Sequence, residues 1–308
     1  MLGINIFLGK IVNECFTRYA VPLYFIISGA LFFRDYDDKK YFDKIKKRIK
    51  SLLIPYLIWN VIWMLFDIAT SYSFASEYFL GREKFELSFL SFFNAIFHYK
   101  CNGVFWFVFD LMFFVLISPV IDKLVHNRYI GMGVTFLLAV LCLFNIGLPE
   151  TVFFSQTAII YYFIGAIIGK HYFEGFCKKS SLITQIISVI ILLTAAVVFF
   201  FSEGIDREPY FMFILIPCAW AFWNAVDLFI YKLPTFAIYK DSFAIYAMHY
   251  NVSACIAKVF YIVFPKNGLM ALPNLILTIV VTLCTIRLFC YVVKKISPNL
   301  YWLFTGGR

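Results

Sequence analysis

Between Ala20 and Trp59 two apolar runs, AVPLYFIISGALFF and SLLIPYLIW, enclose the densest positive charge in the chain. The run between them carries Arg34, Lys39, Lys40, Lys44, Lys46, Lys47, Arg48 and Lys50 against Asp35, Asp37, Asp38 and Asp43. A bilayer selects this pattern, because hydrocarbon excludes charge while the cytoplasmic surface collects Lys and Arg. Similar apolar stretches recur at 20–33, 51–68, 104–121, 128–146, 153–169, 182–201, 209–231, 242–264 and 271–293. They read as nine membrane spans. The expected fold is an all-α, polytopic membrane helical bundle, a single integral-membrane domain over 1–308. Residues 34–50 form a basic hairpin in this reading, and 69–103 form a longer polar and aromatic loop.

Composition supports the same reading. Of 308 residues 62% are hydrophobic and 15% charged, where soluble domains run at roughly 45–50% and about 25%. The net charge of +9 therefore calls for no nucleic-acid partner, since basic loops orient a membrane protein. Eighteen Lys and Arg fall in the loops on one side of the nine spans and seven on the other. This bias places the C-terminus in the cytoplasm and the N-terminus outside. One further helix upstream would give a chain with both ends inside.

No HExxH, phosphate-binding glycine loop, nucleophile elbow or CxxC pair occurs, and no metal is expected. Candidate chemistry lies instead in polar residues at bilayer depth, where ionisable groups are costly. At helical spacing Tyr56, Asn60 and Asp67 share a face, as do Trp106 with Asp110, and Trp220, Asn224 and Asp227. Ser242, Tyr246, His249 and Ser253 form a further stripe. The simplest architecture turns these stripes toward a shared interior. His98, His126 and His171 read as solvated, and Arg287 as a cation snorkelling to the inner surface. His249 differs, being mid-span and able to accept a proton near pH 7.

Four segments resemble the membrane acyltransferase-3 family: TRYAVPLYFIISGALFF (17–33), KKRIKSLLIPYLIW (46–59), GVFWFVFDLMFFVLISPVI (103–121) and KDSFAIYAMHYNV (240–252). The resemblance implies a bundle of ten spans whose first helix, bearing an Arg and a His, is missing from this chain. It implies transfer of an acyl group, acetyl foremost, from acyl-CoA to a cell-surface glycan or its lipid-linked precursor. Acyl-CoA is then a co-substrate rather than a resident cofactor, and membrane lipid is the surrounding partner. His249, Tyr246 and Asp110 are the expected catalytic residues, with His249 orienting substrate or a catalytic partner, because the resemblance assigns the base to the His of the absent first helix. Lys47, Arg48 and Lys50 are expected to hold the CoA phosphates. Two other readings fit the same pattern: a transporter or flippase for a lipid-linked glycan, and a non-catalytic remnant of the family.

Overall fold

A computed structural model describes residues 18–37, 39, 41–73, 84–144, 146, 155–202, 210–230, 234, 237–264 and 270–307. Among these residues there is no strand, so the chain is all-α as expected. The helices are α1 (Ala20–Phe33), α2 (Tyr41–Tyr72), α3 (Phe89–Phe97), α4 (Trp106–Leu116), α5 (Ser118–Val125) and α6 (Arg128–Leu143). They continue with α7 (Gln156–Ile167), α8 (Phe173–Cys177), α9 (Leu182–Phe201) and α10 (Phe211–Val226), then α11 (Ser242–Val263), α12 (Ala271–Ile296) and α13 (Pro298–Thr305).

Among the described residues, α2, α9 and residues Leu272–Ile296 of α12 are long and apolar enough to cross a membrane. The helices α1, α6 and α10 are apolar but shorter. The expected third span, 104–121, is not one straight helix. Residues Gly103–Leu116 and α5 are bent by 68°, with Pro119 in the first turn of α5, where its missing N–H costs least. The expected hairpin at 34–50 is corrected too. Its second half is helical and runs without interruption into the following span as α2. A π-helical stretch, Ile49–Leu53, joins the two parts. The cause is local: Pro55 has no N–H to offer the Ser51 carbonyl, and a widened turn accommodates its ring.

The described residues pack as two compact units. One is drawn from residues 44–112 and 235–308, the other from residues up to 43 together with 113–234. In the second unit α1 and α7 meet backbone to backbone. A Cβ on Gly29 would run into the Tyr162 carbonyl, on Gly165 into that of Ile26, and on Gly169 into that of Ala30. Gly165 and Gly169 are four apart, the small-residue spacing that brings membrane helices into direct contact. Phe33 and Phe114 then pack on the Tyr162 ring, with centroids 6.0 and 5.0 Å away. Elsewhere in this unit Ala195 and Phe199 of α9 pack against Leu215 and Cys218 of α10. Arg18 lies over the Phe199 and Phe211 rings.

The α10 stripe does not turn inward. Trp220 is exposed, and the Asn224 amide donates to the Trp220 carbonyl of its own helix at 2.8 Å. Asp227 accepts from the Ser180 N–H and hydroxyl, each at 2.8 Å, and so pins the start of α9. The buried face of α10 is made of small and aliphatic residues such as Ala219 and Ala221. A second π turn, Ile168–Tyr172, continues α7 into α8. Within it Lys170 pairs with Asp122 at 2.5 Å.

In the first unit the C-terminal helix α13 is fastened to α2. The Trp59 indole N–H donates to the Phe304 carbonyl at 2.9 Å. Gly306, at φ 69°, lies so close to the Ser51 carbonyl that no Cβ fits between them. That carbonyl is the one Pro55 leaves without its helical donor. Arg287 is not a simple snorkelling cation, because it is paired with the buried Asp241 carboxylate. The Tyr301 hydroxyl donates to the same carboxylate at 2.7 Å. Burial first, and then the Asp241 carboxylate, raise the Tyr301 phenol above its ordinary pKa, so it stays a donor there.

Candidate active site

The polar centre of the first unit forms where α2, α11 and the segment joining α3 to α4 meet. α3 starts from a Ser88 cap, whose hydroxyl accepts from the Ser91 N–H at 3.2 Å. Its course along α2 is fixed by hydrogen bonds at both ends. At the far end of α2, Ser71 accepts from the Phe85 N–H at 3.0 Å and the Tyr72 hydroxyl donates to the Phe85 carbonyl at 2.8 Å. Further back, Asn60 donates to the Ile96 carbonyl at 3.0 Å and the Tyr56 hydroxyl to that of Phe97 at 2.7 Å. Those carbonyls are the ones a helix C-terminus leaves unpaired. Residues 84–97 therefore descend antiparallel to α2 from Tyr72 to Tyr56, about 24 Å at 1.5 Å per residue.

The chain then breaks. His98 to Asn102 leave the helix, and Tyr99 takes φ 48°, the one positive value at a non-glycine among the described residues. Positive φ outside glycine is uncommon and points to a segment held by its surroundings. Three side-chain bonds join residues 101–104 to α11. Asn102 donates to the Ala247 carbonyl at 3.1 Å, Asn251 to that of Cys101 at 3.3 Å, and the Tyr246 hydroxyl to that of Val104. Trp63 of α2 donates to the same Ala247 carbonyl at 3.0 Å. Helix α11 is thus held over residues 246–251 by side chains and carbonyls of two other segments.

Within that turn lies His249. Its Nδ1 is 3.0 Å from the Ile245 carbonyl and 2.9 Å from that of Tyr246. Both partners are acceptors, so geometry assigns the hydrogen to Nδ1 and the lone pair of the neutral ring to Nε2. The ring is exposed and sits 6.4 Å, centroid to centroid, from that of Tyr246. Tyr246 in turn stacks on Phe105 at 5.6 Å. Asp110 is buried at 3% exposure and acts electrostatically on Tyr99. Lys47 and Lys50 are exposed and Arg48 is half-buried, all three in the opening turns of α2.

The structure thus brings Tyr246 and His249 onto one turn of α11, while Lys47, Arg48 and Lys50 stand apart at the start of α2. The Ser242–Ser253 stripe is not the packed face of α11. Phe243, Ala244, Ala247, Met248 and Asn251 are buried, whereas Ser242 and His249 are exposed. His98 is half-buried rather than solvated, its ring 5.5 Å from that of Phe93 and 5.9 Å from that of Phe109. Sequence reasoning missed Trp63, Asn102 and Asn251. The Asn102-Gly103 pair was the available signal, since that dipeptide marks a chain break.

The family model described as an acyltransferase domain matches residues 3–293. The chain belongs to the acyltransferase-3 family. No curated protein and no solved structure matches it. Its apolar helices and its family make this acyltransferase a membrane protein. The match takes in every segment of the site just described, from α2 through α11. Among the described residues no group of three His, Cys, Asp or Glu is placed to hold a metal ion.

Proposed function

We propose that the chain is an O-acyltransferase of the cell membrane, its C-terminus in the cytoplasm, that moves an acetyl group from acetyl-CoA to a hydroxyl of a cell-surface glycan or its lipid-linked precursor. One observation carries the reading: the His249 ring spends its Nδ1 hydrogen on two carbonyls of its own helix and keeps the basic Nε2 for a substrate. In the step so inferred, Nε2 takes the proton of the acceptor hydroxyl. The hydroxyl oxygen bonds to the thioester carbonyl carbon, and the carbonyl electron pair moves to its oxygen. Collapse of that adduct breaks the carbon–sulfur bond, and the departing CoA thiolate recovers the proton from His249.

Tyr246 is the neighbour that ties this turn to Val104. The buried Asp110 carboxylate is read as a charge that acts on Tyr99 of the break. Lys47, Arg48 and Lys50 offer positive charge for the CoA phosphates at the basic end of α2. Transfer of labelled acetyl from acetyl-CoA to membrane glycolipid, by the full chain in lipid nanodiscs, tests the reading. His249→Gln is expected to cut transfer by at least tenfold at unchanged thermal stability. Retained transfer in that variant removes His249 from the site. Glycan movement without acyl-CoA favours the transporter reading instead.

A further inference from the structure

The Ala247 carbonyl of α11 receives side-chain donors from two other segments. The Trp63 indole nitrogen of α2 lies 3.0 Å from it and the Asn102 amide nitrogen 3.1 Å. The two carbonyls before it are taken by His249, whose Nδ1 is 3.0 Å from that of Ile245 and 2.9 Å from that of Tyr246. Three successive carbonyls of one turn are thus bound to side chains, two to the imidazole and the third to Trp63 and Asn102. Consecutive peptide groups are planar and joined at a Cα, so a movement of the Ala247 carbonyl passes directly to the carbonyl on which the ring rests.

The indole is itself fixed. Trp63 is buried at 6% exposure, its ring stacked on that of Trp59 at 6.3 Å and met edge-on by that of Phe66 at 5.6 Å. It pins the packed side of α11, where Ala247 and Asn251 are buried, whereas His249 is exposed. The two positions, Ala247 and His249, stand about 200° apart around the helix at 3.6 residues per turn. Helix α2 also carries Lys47, Arg48 and Lys50 in its opening turns. From Lys50 to Trp63 its axis advances about 20 Å at 1.5 Å per residue, of the order of the extended pantetheine arm between the phosphates and the sulfur of CoA. One helix therefore sets both the level of the basic turns and the level of the turn that bears His249.

We propose that Trp63 is a positioning residue of acyl transfer, its indole N–H holding the His249 turn in place through the Ala247 carbonyl, a role that rests on reading His249 as the base of an acyl-CoA-dependent transfer. A misplacement of about 1 Å at a reacting group costs up to about a hundredfold in rate. Ala247 keeps Asn102 as a donor when the indole N–H is removed. No buried acceptor is then orphaned, and stability is expected to hold.

Benzothienylalanine in place of Trp63 keeps the ring outline and puts sulfur where the N–H stood, and Trp63→Phe is a second variant. Transfer of labelled acetyl from acetyl-CoA to membrane glycolipid is followed for the full chain in nanodiscs. Either variant is expected to lower kcat about tenfold, with the KM for acetyl-CoA and the melting temperature unchanged. In a His249→Gln chain the same replacements are expected to lower kcat no further, because a residue that acts only through His249 has nothing left to position. An unchanged kcat, a raised KM alone, or an equal loss in both backgrounds overturns the positioning role. Loss of the folded chain in both variants makes Trp63 a packing residue and overturns it too. Full transfer by the His249→Gln chain itself overturns the reading of His249, and the role of Trp63 with it.

Discussion

Glycine does two opposite things in this protein, and the difference is set by what stands where a Cβ would go. At Gly165 that place is taken by the Ile26 carbonyl, whereas at Gly133 nothing lies within 4 Å. Gly165→Leu is therefore expected to separate α1 from α7 and cost about 2 kcal/mol or more, seen as a lower melting temperature in detergent. Gly133→Ala, exposed and mid-helix, is expected to raise stability by about 0.5–1 kcal/mol, because alanine loses less backbone freedom on folding. Equal effects at the two positions would contradict the packing described for α1 and α7. The small residues Ser28 and Gly29, and the glycines of IGAIIGK, stand in the sequence, but small residues spaced four apart say nothing about which helix will face them.

Helix α2 shows how one element divides its labour. Its opening turns carry Lys44, Lys46, Lys47, Arg48 and Lys50, its middle holds Tyr56, Asn60 and Trp63, and a π turn over Ile49–Leu53 joins the two. Neutralising Lys47→Gln and Arg48→Gln together is expected to weaken acetyl-CoA binding several-fold at low salt and progressively less as salt rises. Unchanged affinity across the salt series would leave these residues with an orienting role only. Helix α13, fastened to α2 at Ser51 and Trp59, depends also on the Asp241 carboxylate shared by Arg287 and Tyr301. Asp241→Asn is expected to loosen α13 and speed trypsin cleavage after Lys294 and Lys295. An unaltered cleavage rate would show that Trp59 and Gly306 hold the helix without it.

At the scale of the whole molecule the charge distribution makes the firmest forecast. Residues 34–50 and the C-terminal segment are expected on the cytoplasmic side. In a chain freed of its own cysteines, single cysteines at Lys47 and Lys294 should resist an impermeant thiol reagent in intact cells and react after permeabilisation. Labelling of either from outside would reverse the topology.

The sequence by itself determined the class of fold, the membrane setting and the family. These rest on properties that add up along a chain: hydropathy, charge sign, and runs such as VPLYFIISGALFF and LLIPYLIW. Periodicity also put His249 and Tyr246 on one turn of a helix, because i, i+3 spacing is a local property of a helix. Only the tertiary structure decided which side of α11 is packed, that the third span is bent, and that Asn102 donates to the Ala247 carbonyl. Those outcomes depend on atoms distant in sequence competing for one hydrogen-bond partner or one gap. Trp63 and Asn102 converge on a carbonyl 184 and 145 residues away, and no window of local sequence contains all three.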